Sequence, residues 1–132
     1  MEEFISLRTR QDMELADALG RYIRQHGTIT FADIERFLEH SGILWHGNEK
    51  IFITGHNDVV LWGGLSPRAA DIIRTVIQED DFEIRKTHKT VYLMQGRMMQ
   101  MPETTAMTLN NSIPSWCPAV IRTKKEVVMS AV

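Results

Sequence analysis

Apolar positions recur at helical spacing in three stretches of this chain. From Asp12 to Gln25 they are Leu15, Ala18, Leu19, Tyr22 and Ile23, which predicts a first helix with Gly27 placed to end it. Asp12 is its candidate N-cap. After the short β-prone run Thr28-Ile29-Thr30, the residues Phe31, Ile34, Phe37 and Leu38 line one face of a second helix that Gly42 ends. Thr30 and Asp33 stand at capping-box spacing, with Asp in place of the usual Glu. The third stretch opens at Ser66, a good N-cap, followed by Pro67, whose missing N–H would be unpaired there anyway. It runs to about Glu79, with Ala69, Ala70, Ile73, Val76 and Ile77 on one face and Arg68, Asp71, Arg74, Thr75 and Gln78 on the other.

Between the second and third helices the period changes. Ile43-Leu44-Trp45, Lys50-Ile51-Phe52-Ile53-Thr54 and Val59-Val60-Leu61-Trp62 are rich in β-branched and aromatic residues and are separated by polar turns. The last of these is apolar throughout, so both of its faces are expected to be buried. Beyond the third helix, Phe82 to Arg85 and Thr90 to Met94 alternate like two strands around a basic tip, Lys86-Thr87-His88-Lys89, and predict a hairpin.

This order of elements over residues 12–95 resembles the winged-helix superfamily, although no particular family is identified. The expected fold class is α+β, winged-helix-like, with a β insertion between the second and third helices. Residues 1–96 would form that domain, and residues 97–132 an extended C-terminal tail or dimer arm. The tail holds Pro102, Pro114 and Pro118 and has weak periodicity, while Met98, Met99, Met101 and Trp116 give it apolar anchors. The resemblance implies a third helix and a wing that meet duplex DNA. Arg68, Arg74, Arg85, Lys86 and Lys89 would contact phosphates, and Arg74, Thr75 and Gln78 are types that reach base edges.

Composition narrows the choice. A net charge of −2 over 132 residues excludes a generally basic nucleic-acid coat but leaves room for a local patch. Such a patch lies between Phe82 and Arg97, where Arg85, Lys86, Lys89 and Arg97 face only Glu83. A hydrophobic share of 43% is enough for a core. The single cysteine, Cys117, permits no intrachain disulfide and no cysteine-based zinc site. The acidic start and the lack of a long apolar run predict a soluble, cytoplasmic protein with no membrane segment.

Chemistry is thin. The five histidines lack ligand spacing, so no metal is expected. Gly63-Gly64-Leu65-Ser66 lacks a phosphate-loop lysine and reads as a strand-to-helix turn. Cys117 has no histidine near it in sequence and reads as a buried thiol. The run Glu79-Asp80-Asp81 reads as a solvated helix end. No enzyme activity and no cofactor are therefore expected. The favoured reading is a small DNA-binding or transcription-regulatory protein, expected to be a homodimer. The alternative is a non-enzymatic protein-interaction or scaffold module with the same fold.

Overall fold

The computed structural model describes residues 10–53, 56–99, 101 and 115–124. Helix α1 (Arg10–His26) buries Ala16, Leu19, Gly20 and Ile23, a single helical stripe. Gly27 closes it with a left-handed φ of 82°, and its N–H donates to the Ile23 carbonyl. The helix begins two residues earlier than expected, so Asp12 lies in its first turn rather than at the cap. Strand β1 (Thr28–Thr30) leads directly into α2 (Phe31–His40). There the capping box forms in both directions: Asp33 N–H donates to Thr30 Oγ1 and Thr30 N–H to Asp33 Oδ2, each at 3.0 Å.

The insertion is a hairpin of β2 (His46–Ile53) and β3 (His56–Leu65). Val59, Val60, Leu61 and Trp62 are all buried, as their unbroken apolar run requires. Helix α3 (Pro67–Ile77) starts as its sequence predicts, with Ala69 N–H donating to Ser66 Oγ. It buries Ala69, Ala70, Ile72, Ile73 and Val76, and it packs against α1, β2, β3 and β4 (Phe82–Lys86).

The chain then departs from the expected hairpin. Thr90–Met94 is not a strand but a short helix, α4. A strand would bury alternate residues. Here only Tyr92 is buried, while Leu93 and Met94 are 53% and 87% exposed. The residues that pair with β4 come instead from β6 (Ala119–Thr123), which follows β5 (Ser115–Trp116).

Two three-stranded sheets result among the described residues. One is antiparallel, in the order β1-β6-β4, with Ile29 and Ile84 both opposite Ile121. The other has the order β2-β3-β5, with β5 parallel to β3. The expected division at residue 96 therefore does not separate body from appendage over residues 115–124. Trp116, Cys117, Ala119 and Ile121 are buried, and β6 is the central strand of its sheet. Weak periodicity conceals this because β5 and β6 are short and are joined by Cys117-Pro118. The molecule is a mixed α+β fold. Among the described residues no helix is long and apolar enough to cross a membrane.

Candidate binding groove

Helix α3 carries Arg68, Arg74, Thr75 and Gln78, and most of their polar atoms already have partners within the chain. Arg68 Nε donates to Asp12 Oδ1 at 2.7 Å, so the first turn of α1 holds it. Arg74 donates through Nη1 to Asp71 Oδ1 at 3.1 Å and through Nη2 to the Lys50 carbonyl at 3.0 Å, with Glu49 at 3.6 Å. Thr75 turns its hydroxyl back onto the Asp71 carbonyl at 2.8 Å. Gln78 is the exposed C-cap. The inserted hairpin thus lies along α3 and ties down its central arginine.

The basic residues after α3 lie elsewhere. Side chains alternate along β4, so Phe82 and Ile84 face the helices while Glu83 and Arg85 face the other side of the sheet. There Glu83 Oε2 accepts from Arg122 Nε at 2.6 Å and lies 3.5 Å from Arg85 Nη1. Arg122 holds the Glu83 carboxyl below its ordinary range. Lys86 ends β4, and Lys89 precedes the first turn of α4. Arg74 and Arg85 therefore do not share a surface.

What α3 does share with β4 is a groove of about 410 Å³. Its walls are Ile51, Phe52 and Ile53 of β2, Leu61 of β3, Ile77 of α3 and Ile84 of β4, with Arg74 and Gln78 as its polar members. Phe52 is 40% exposed there. Asp71 and Glu49 balance the Arg74 charge, so the groove offers apolar surface rather than a net field for anions. Both β2 and β4 are edge strands of their sheets among the described residues. Comparison of the chain with family models, with curated proteins and with solved structures finds no match.

A second constellation escaped the sequence reading. Glu35, on the buried face of α2, accepts from Arg97 Nε and Nη2, each at 2.8 Å, and from Trp62 Nε1 at 2.8 Å. Arg97 also lies over the rings of Trp45 and Trp62, at 5.5 and 5.8 Å. Beside it, Tyr92 stacks on Trp62 at 4.8 Å and meets Trp116 edge-on at 5.5 Å. The Tyr92 hydroxyl donates to the Ala119 carbonyl and accepts from Phe31 N–H. Burial pushes its phenol far above the ordinary tyrosine range. The one available signal was Glu35 itself, a charged residue one position from Ile34 on the core side of a helix. Every polar atom of that carboxylate is used by the chain, so the cluster reads as a clamp between α2 and the segment after α4. Among the described residues no group of His, Cys, Asp and Glu could hold a metal ion.

Proposed function

We propose that this chain is a non-enzymatic protein-interaction module of winged-helix-like architecture whose groove takes an extended apolar strand. The observation that carries the reading is the groove itself. It is apolar, open, floored by α3 and flanked by two edge strands, β2 and β4. Edge strands present backbone donors and acceptors that an added strand can satisfy, while side-chain pockets select its sequence. Support for the architecture comes from the element order α1-β1-α2-α3-β4-β6, with β2 and β3 inserted between α2 and α3. A cytoplasmic setting belongs to the same proposal.

The test is titration of extended peptides rich in valine, isoleucine and threonine into the full chain, followed by calorimetry. Saturable binding that falls at least about tenfold, or about 1.4 kcal/mol, in Phe52→Asp is the expected result. Phe52 is an exposed position, so this change should leave the fold intact. If the protomer binds no such peptide, or if Phe52→Asp binds equally well, the groove has no role.

Duplex DNA is the second reading, and the succession Arg85, Lys86, Lys89 from the end of β4 to the start of α4 favours it. On that reading the binding energy comes from phosphate contacts and weakens steeply with salt. An apolar groove predicts the opposite, near-indifference to salt.

A further inference from the structure

We propose that the strand this groove takes is β4 of a second copy of the chain, paired antiparallel about Ile84. The inference rests on reading the groove as a strand-binding site and names its occupant.

The backbone sets the geometry first. Lys124 N–H donates to the Asp81 carbonyl, and Thr87 N–H donates to the Pro118 carbonyl. Bonded and non-bonded pairs alternate in an antiparallel ladder, so Glu83 and Arg85 also direct their backbone toward β6. Ile84 therefore turns its N–H and C=O toward the free edge, and its side chain lines the groove. A second β4 laid antiparallel along this edge lets two Ile84 residues exchange both backbone bonds. Facing residues of an antiparallel pair share a sheet face, so the second Ile84 side chain enters the groove beside the first, toward Phe52 and Ile77. Each copy thereby contributes a wall residue to the groove of the other.

Charge then selects the register. The strand reads Phe82-Glu83-Ile84-Arg85-Lys86. Centred on Ile84, Glu83 of each copy faces Arg85 of the other, on the sheet face where both already sit. The next registers with the same backbone phase place Glu83 against Glu83, or Arg85 against Arg85. Like charges directly opposite destabilise a pair, and opposite charges stabilise it. Of these, the register that buries Ile84 against itself is the one that sets opposite charges face to face, beside the Glu83–Arg122 pair within each copy. The contact is isologous, so it closes as a two-fold dimer and joins two three-stranded sheets into one. It also covers an edge that would otherwise be a template for open-ended association.

Sedimentation equilibrium of the full chain over a concentration series, with charge-reversed variants, tests this. The wild type should reach twice the 15.2 kDa protomer mass. Glu83→Arg and Arg85→Glu should each associate at least tenfold more weakly. Mixed together, these two variants should form a one-to-one heterodimer, since each supplies the charges that the other has lost. A general loss of structure could not produce that rescue. If Glu83→Arg does not fold, Arg85→Lys against Arg85→Glu decides: the first keeps the dimer and the second loses it. A wild type that stays at protomer mass overturns the inference, and so does a dimer indifferent to these reversals. A protomer that still binds extended peptides would overturn the dimer alone and leave the strand-binding groove standing. A protomer that binds none would remove both.

Discussion

Tyr92 shows how much one side chain does here. Its hydroxyl joins the start of α2 to β6, at 3.0 Å from Phe31 N and 2.6 Å from the Ala119 oxygen. Tyr92→Phe would leave both backbone groups unpaired in the core, and the expected cost is about 1–3 kcal/mol in denaturant unfolding. The same residue sets an alkaline limit. Its phenol titrates far above the ordinary value of 10.0 in the folded state, and near that value when unfolded. The stabilisation is thus complete below pH 10.0 and is lost as pH rises beyond it, because only the unfolded chain then releases the proton. Unfolding free energy should fall across that range in the wild type, and by less in Tyr92→Phe. Arg97 makes a comparable case. Arg97→Ala leaves the buried Glu35 carboxylate with Trp62 as its neighbour and should cost about 3 kcal/mol, the low end for a broken buried pair, since Arg97 is partly exposed. Equilibrium unfolding would show it, and an unchanged midpoint would mean that Glu35 is solvated.

At the scale of elements, helices were readable and sheet partners were not. The phase of α3 followed from Ala70, Ile73 and Val76, and its start from Ser66 and Pro67, because stripe and cap are local signals. Ile73 is 1% exposed, so Ile73→Ala should cost about 2–5 kcal/mol. A near-silent change by thermal melt would mean that the helix is rotated. The segment Thr90–Met94 failed for a physical reason: five residues are too few to separate a period of two from one of 3.6, and partner choice decided the outcome. That partner, β6, lies some thirty residues beyond β4 and carries no turn signal linking the two. The groove was illegible for the same reason. Ile51, Phe52, Ile77 and Ile84 were visible as apolar residues, but their convergence depends on which strands stand at sheet edges. The capping box at Thr30 and the burial of Trp62 needed no such knowledge.

For the whole molecule, the distribution of charge separates the two binding readings. If duplex DNA binds through Lys86 and Lys89, replacing both with Ala should lower affinity for all sequences and reduce the salt slope by about 0.9 per lost contact. If the groove is the working surface, peptide binding should be unchanged by that double substitution and nearly unchanged by salt. Parallel gel-shift and calorimetric salt series would tell them apart. Removing residues 102–132 should unfold the chain rather than trim it, since it deletes the central strand of one sheet and Trp116 from the core. Loss of cooperative unfolding by circular dichroism is the expected readout.

The position of β6 has a consequence for how the molecule is made. Among the described residues strands β1 and β4 are joined through it, and it follows both of them in the chain. A ribosome delivering residues in order would release two orphan strands and two nearly complete helical faces well before the piece that unites them. Until Thr123 emerges, that sheet cannot close, and its would-be neighbours remain sticky. Such long-range closure is slow. Stalled or prematurely terminated products should therefore aggregate or be degraded, whereas the finished chain should not.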